Sequence, residues 1–172
     1  MSDPLRQAKR PVTPLSGPYG HPLHPALATV PIGAWTASLV FDVGSRLVHD
    51  PSFLTRGSLW LIAIGVFAAL AAAMFGFLDL LVIAAGTRAF RIALLHMALN
   101  LAVTAGYGAG WAWRALSDHY DQVEGGQILL SAVCLVVLGC SGYLGGRLAF
   151  RYGVRVADET AQAEGFTVTK RL

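Results

Sequence analysis

The stretch GSLWLIAIGVFAALAAAMFGFLDLLVIA, residues 57–84, decides the fold class of this chain. Its 28 residues carry a single charged side chain, Asp79. A helix needs about 20 mostly apolar residues to cross the hydrocarbon core of a bilayer, so this stretch predicts a transmembrane helix. The composition agrees, because 55% of the 172 residues are hydrophobic and 13% are charged, against about 25% charged in soluble domains. So few charges exclude an ordinary water-soluble globule.

Three further apolar stretches predict spans at about residues 25–48, 90–113 and 128–146. Pro31 and Asp42 interrupt the first of them, and an early proline is expected to kink that helix rather than end it. The connections between the stretches are short, and short connections force consecutive helices to lie antiparallel. The predicted fold is therefore an all-α integral membrane protein, an up-and-down four-helix transmembrane bundle.

The segments outside the spans divide the chain into three parts. Residues 1–20 carry four prolines and no apolar core, which predicts a disordered arm. Residues 21–152 are predicted to form the four-helix transmembrane domain, and residues 153–172 a tail. We call the end of the bundle that bears the N-terminus side A, and the opposite end side B.

Lys and Arg are distributed unevenly between the two ends of the predicted bundle. With four spans, the arm, the second connection and the tail share side A. Side A carries ten of the 13 basic residues, and side B carries three: Arg46, Arg56 and Arg114. Because loops rich in Lys and Arg stay on the cytoplasmic side, side A is predicted to be cytoplasmic. Both the arm and the tail are then cytoplasmic.

Titratable side chains from three spans are expected at one membrane depth. His21 and His24, in the motif HPLHP, lie where the first span begins at side A. Asp79 lies about 22 residues into the second span, a rise of ~33 Å, so it has returned to side A. His96 lies about one turn into the third span, and Asn100 follows it on the same face. Since ionisable groups in a bilayer usually face the bundle interior, these side chains predict a polar site at the cytoplasmic end.

The sharpest hypothesis for this site is a b-type haem that serves electron transfer. His24 and His96 would be its axial ligands, since bundle cores build cofactor sites from side chains on facing helices. Asn100 would lie beside the ligands, and Gly145 and Gly146 would let the porphyrin plane approach. The propionates need cations, and four arginines are expected at the right level: Arg88, Arg91, Arg147 and Arg151.

A divalent metal is the variant of this hypothesis. His21, His24, Asp79 and His96 supply nitrogen and oxygen ligands that suit zinc or iron(II). The spacing of His21 and His24 is a weak signal, because a proline follows each ring and prevents a regular helical pair. The two cysteines lie in an apolar run without the spacing of a metal site, so they are interpreted as small apolar fillers.

Two other functions are consistent with the same residues. In a structural or partner-binding membrane subunit, His21 and His24 would cap the first helix, His96 would hydrogen-bond Asp79, and a homo-oligomer is one possible assembly. In a proton or ion transport component, ionisable groups should occur at several depths, but the predicted midplane offers few. No catalytic spacing, phosphate-binding loop or nucleic-acid-binding face appears, so neither an enzyme nor a nucleic-acid partner is indicated.

Four motifs together resemble a bacterial family of predicted four-helix membrane proteins, domain of unknown function 2231. They are GHPLHPALATVPIGAW, GFLD, LHMALN and SGYLGGRLAFRYGV, and the resemblance covers about residues 19–156. It implies a multi-pass protein of the bacterial inner membrane. Members that resemble it are sometimes joined to Rieske-type iron–sulfur domains, which implies electron transfer with an iron–sulfur or other redox partner. This chain departs from that pattern, because the tail after Gly153 lacks the Cys and His that a cluster needs.

Overall fold

The computed structural model describes residues 3–13, 17, 21–117 and 120–166. Every regular element among these residues is helical. The elements, in chain order, are α1 (Pro4–Lys9), α2 (Leu23–Ser45), α3 (Ser52–Leu81), α4 (Arg88–Leu116), α5 (Gly125–Gly146), a π-helical turn (Arg147–Arg151) that continues α5, and α6 (Glu159–Glu164).

Four of these helices are long and apolar enough to cross a membrane: α2, α3, α4, and α5 with its π-helical turn. Their outer faces are apolar as well, since Phe67, Met74 and Val136 are each about two-thirds exposed or more. A helix that is apolar all round fits a lipid environment. The prediction of an all-α integral membrane protein with four spans is thus confirmed. α3, α4 and α5 with its π-helical turn are longer than predicted, whereas α2 begins and ends two to three residues earlier than predicted.

The four long helices form a closed ring of antiparallel neighbours. α2 packs most extensively on α3, α4 packs on α5, α3 packs on α4, and α5 closes the ring against α2. Short connections dictate this order, since each helix must return beside the one before it. As a result α2 and α4 run in the same direction and lie diagonally across the bundle.

A plug of tightly packed side chains fills the middle of the bundle. The rings of Trp35 and Tyr107 stack with their centres 4.2 Å apart and their planes 8° from parallel. The indole N–H of Trp35 donates to the Ile62 carbonyl at 3.3 Å. Gly65 leaves the space that this indole fills, because a Cβ there would overlap its ring. Val103 packs against the same cluster and is almost fully buried. These contacts join α2, α3 and α4 in the middle of the bundle.

All four spans contribute one residue to a buried polar cluster near side B. An Arg114 guanidinium nitrogen on α4 lies 2.7 Å from a carboxylate oxygen of Asp42 on α2. The Ser58 hydroxyl of α3 donates to the other carboxylate oxygen. Arg114 also donates to the Ser131 hydroxyl of α5 at 3.1 Å. We call Asp42, Ser58, Arg114 and Ser131 the four-helix lock. The sequence interpretation missed it, because it treated Asp42 as an interruption and Arg114 as a loop residue.

The arm and the tail are more ordered at side A than the sequence predicted. Residues Pro4–Lys9 form α1, which begins where the Asp3 carboxylate accepts the Leu5 N–H at 3.0 Å. Ala8 of α1 is buried, and its carbonyl accepts the Arg155 N–H at 3.0 Å. The prediction of a wholly disordered arm is therefore corrected for α1. The rest of that prediction falls largely on residues 1–2, 14–16 and 18–20, which lie outside the described residues.

The tail also returns to the bundle before it leaves. Gly153 and Arg155 both have positive φ angles, 66° and 59°, and this backbone reverses the chain after the π-helical turn. Val154 and Arg155 are consequently buried against the side A ends of the spans. Residue 155, three residues beyond the predicted domain boundary, still packs against the bundle. α6 follows and is exposed.

Candidate functional site

A cavity of about 440 Å³ occupies the side A half of the bundle. Its walls are mostly apolar and come from all four spans, as in Ile32, Phe77, Leu101 and Leu138. Trp35 of the central plug lines its deep end. Cofactor and small-molecule sites commonly measure roughly 300–1,000 Å³ and combine apolar walls with a few polar groups. The cavity has both properties.

Two histidine rings project into this cavity from the diagonal pair of helices. His24 on α2 and His96 on α4 have ring centres 6.1 Å apart and perpendicular planes. The sequence placed both at one depth by counting residues from side A, and the structure brings them together.

Each histidine is oriented by a backbone carbonyl of a neighbouring span. His24 Nδ1 lies 2.8 Å from the Ala72 carbonyl of α3. His96 Nδ1 lies 2.8 Å from the Ser141 carbonyl of α5. A carbonyl oxygen only accepts hydrogen bonds, so Nδ1 must carry the proton in both rings, and Nε2 of a neutral ring keeps its lone pair. This is the arrangement that second-shell carbonyls give to metal-ligating histidines.

Two glycines make room for these rings. A Cβ built on Gly76 of α3 would lie 2.9 Å from His24 Nδ1, and one built on Gly145 of α5 would lie 3.0 Å from His96 Cε1. Gly145, predicted to receive a porphyrin plane, therefore packs against a histidine ring. Each glycine supports the ring that the adjacent carbonyl orients.

Replacing Gly76 by alanine should push His24 off the Ala72 carbonyl. We expect Gly76→Ala to be less stable than Gly33→Ala by about 1–3 kcal/mol, the usual cost of overpacking. Gly33 is the control, because a Cβ there meets nothing within 4 Å. Detergent-induced unfolding followed by circular dichroism gives the difference, and ¹⁵N chemical shifts of the His24 ring report its tautomer. Equal stability with an unchanged His24 tautomer would contradict this account of the ring.

Asn100 lies one turn below His96 and interacts with its other ring nitrogen. The Asn100 amide nitrogen lies 3.1 Å from His96 Nε2 and donates to the His96 carbonyl at 2.9 Å. Thr104, one turn further on, donates to the Asn100 carbonyl at 2.8 Å. Both Asn100 and Thr104 line the cavity. Any group that binds His96 Nε2 must therefore displace the Asn100 amide.

Asp79 lies at the side A end of the cavity and pairs with the tail. Its carboxylate oxygen is 2.8 Å from Arg155 Nε, and the two side chains are 14% and 5% exposed. The hydrogen bond between His96 and Asp79 that a purely structural role required is absent among these residues, because His96 bonds to Ser141 instead. Asp79 is still close enough to His24 to interact electrostatically with it.

Of the remaining predicted site residues, one lines the cavity and two do not. Gly146 lines the cavity, but Arg147 and Arg151 do not. Arg147 instead donates to the Tyr152 hydroxyl at 3.4 Å. Among the described residues, Arg155 is the arginine that lines the cavity, and the sequence interpretation missed it.

The predicted metal site is not assembled as a set of four ligands. His21 is exposed and does not line the cavity, while Asp79 is engaged by Arg155. Across residues 3–13, 17, 21–117 and 120–166, no three His, Cys, Asp or Glu side chains are grouped as a metal ion requires. Of the four predicted ligands, the structure pairs His24 with His96.

Comparison with known proteins identifies the family of this chain. A family model described as "Predicted membrane protein (DUF2231)" matches residues 20–158. No curated protein and no solved structure matches the chain. The matched range contains all four spans, both histidines and Arg155, and it agrees with the resemblance drawn from the sequence motifs. The chain belongs to the DUF2231 family of predicted membrane proteins.

Proposed function

We propose that this protein binds a b-type haem in the side A cavity and serves membrane electron transfer. His24 and His96 would hold the haem iron. The observation that carries it is the pair of imidazoles 6.1 Å apart on diagonal helices, each with Nδ1 held by a neighbouring carbonyl. Haem iron accepts histidine on both faces, and burial and ligand orientation tune its potential.

The spacing of the rings fits ligation of one ion from opposite sides. At a metal–nitrogen distance of about 2.0 Å, two imidazoles on opposite sides of an ion have ring centres roughly 6 Å apart. The lone pair of each neutral ring belongs to Nε2, and on His96 a ligand would have to displace the Asn100 amide to reach it. The apolar walls supply the low dielectric in which haem is usually held.

The protein would orient the two histidine rings and enclose the haem in an apolar cavity, while the redox chemistry would belong to the haem. When bound, the haem supplies one-electron transfer. The Ala72 and Ser141 carbonyls hold the two rings, and their hydrogen bonds raise the basicity of Nε2. Asn100 occupies His96 Nε2 until the ligand arrives, so it prevents that ring from turning. The plug below excludes water from the deep end of the site.

The same proposal assigns the orientation and the redox partner. Side A carries ten of the 13 basic residues, which favours a cytoplasmic side A in a bacterial inner membrane. The cavity then lies near the cytoplasmic surface. An iron–sulfur or other redox protein would exchange electrons from that side.

An absorbance spectrum of the full-length protein tests the proposal. Protein purified from haem-supplemented cells should show the Soret and α bands of a low-spin b-type haem, and a pyridine haemochrome assay should identify haem b. His24→Ala and His96→Ala should each abolish the low-spin spectrum, because one axial ligand is lost. His21→Ala is the matched control, since His21 is exposed outside the cavity, and it should retain the wild-type spectrum.

A colourless wild-type protein that also fails to take up added haemin would overturn the proposal. The same holds if His24→Ala and His96→Ala both keep the wild-type spectrum. Either result would favour a structural or partner-binding membrane subunit, in which the two rings serve only to connect spans through the Ala72 and Ser141 carbonyls.

A further inference from the structure

The polar groups of the cavity lie at two depths. His24, His96 and Asn100 lie among its apolar walls. The buried ion pair of Asp79 and Arg155 lies at its side A end. Arg155 is the cation that lines the cavity among the described residues, and its side chain is 5% exposed.

We propose that Arg155 selects an amphipathic ligand that places a carboxylate at the side A end of the cavity. The ligand's apolar body would lie between the spans, and its carboxylate would meet the Arg155 guanidinium. This inference rests on the proposed function in placing the ligand in the same cavity, but it does not require iron. Two sources share the chemistry: the propionates of a tetrapyrrole and the carboxylate of a membrane fatty acid.

The backbone conformation of Arg155 is energetically unfavourable, so the surrounding contacts must hold it. A non-glycine residue with φ near 59° occupies the sparsely populated left-handed region, which usually costs about 1 kcal/mol or more. The backbone adopts it because the Arg155 N–H is held by the Ala8 carbonyl at 3.0 Å and Val154 is buried beside it. Both contacts hold the Arg155 guanidinium against the side A end of the apolar cavity.

Asp79 is the counter-ion of Arg155. A guanidinium left buried without an anion is strongly destabilising, so Asp79 keeps Arg155 in place before the ligand binds. Arg155 meets Asp79 through Nε, and a guanidinium presents five N–H donors in a planar fork, so a ligand carboxylate would exchange for other contacts of that fork rather than for Asp79. Asp79 also repels an incoming anion. Its removal should therefore strengthen the preference for an acidic ligand, while removal of Arg155 should abolish it.

Acid and ester forms of the same ligand isolate the carboxylate. We would titrate the full-length protein in phosphatidylcholine nanodiscs with metal-free protoporphyrin IX and with its dimethyl ester, following ligand fluorescence and subtracting empty nanodiscs. A second arm uses cis-parinaric acid and its methyl ester. In at least one arm, the acid should bind the wild type roughly tenfold or more tightly than the ester, as expected for a charge-assisted hydrogen bond. The responding arm identifies the source of the carboxylate.

Three variants connect the preference to Arg155. Arg155→Gln should bring the ratio of acid to ester affinity close to one, Arg155→Lys should retain part of it, and Asp79→Asn should raise it. Arg151→Gln is the control, because Arg151 is an exposed arginine at the same end that does not line the cavity, and its ratio should equal that of the wild type. Arg155→Gln also leaves Asp79 without its cation, so ester binding is measured as the check that the cavity is folded. If Arg155→Gln has lost ester binding, Arg155→Lys, which keeps a cation beside Asp79, carries the test.

The proposal is overturned if the wild type binds acid and ester equally in both arms, or if Arg155→Gln keeps the acid preference. These outcomes are distinguishable from failure of the proposed function, since the probes contain no iron. An acid preference without a haem spectrum would refute only the haem. A haem spectrum with no effect of Arg155→Gln on the acid preference would refute only the role of Arg155.

Discussion

Replacing Asp42 by asparagine should lower the free energy of unfolding by about 3–5 kcal/mol, the usual cost of breaking a buried ion pair. Asp42 is fully buried, and its carboxylate neutralises Arg114, which is 7% exposed. Asparagine keeps the shape of the side chain but leaves the guanidinium without a counter-ion in a low-dielectric interior. All four spans meet at this point, so the loss acts on the whole bundle rather than on one helix.

Detergent-induced unfolding of the purified protein, followed by circular dichroism, measures this effect. Asp121→Asn makes the same chemical change at an exposed position on side B and should stay within about 0.5 kcal/mol of the wild type. The double variant Asp42→Leu with Arg114→Leu should recover much of the stability, because a well-packed apolar pair can replace a buried ion pair. If Asp42→Asn is as stable as Asp121→Asn, the four-helix lock does not stabilise the bundle.

Replacing Trp35 by alanine should cost about 3–5 kcal/mol, as for other buried aromatic truncations. Trp35 is 1% exposed, stacks on Tyr107 and donates to the Ile62 carbonyl. The variant removes both contacts and leaves a void that joins the side A cavity. Because lipid offers little hydrophobic driving force between helices, spans depend on such packing and hydrogen bonds.

Trp60→Ala is the matched control for this variant. Trp60 is 71% exposed on the outer face of α3, so its truncation should change the unfolding free energy by at most about 1 kcal/mol. The same unfolding assay applies to both proteins. Equal losses in the two variants would mean that the stack of Trp35 on Tyr107 contributes nothing beyond general apolar contact.

Hydropathy determined most of the fold, and residue counting determined part of the site. The span at residues 57–84 needs no tertiary information, because no soluble alternative accommodates it. Counting along antiparallel helices then put His24 and His96 at one depth. That argument worked since the rise per residue of a helix is fixed, and a short connection leaves little freedom in the vertical position of the next span.

Other parts of the site depend on features that side-chain patterns do not encode. The partners of the two histidine rings are the carbonyls of Ala72 and Ser141, and every residue has a carbonyl. Arg155 resembled an ordinary basic tail residue, because nothing in its type predicts the positive φ that turns it back. The partner of Asp42, in contrast, could have been predicted from the sequence. A charge inside a span requires a counter-ion, and Arg114 lies at the same end of the bundle.

The stacked pair of Trp35 and Tyr107 has a consequence for energy coupling. It separates the cavity that holds His24 and His96 from the ion pair of Asp42 and Arg114 near side B. The stack therefore closes the cavity at its deep end. Under the proposed function, electrons would enter and leave at side A, and the stack would keep protons from crossing the bilayer through the protein's own interior.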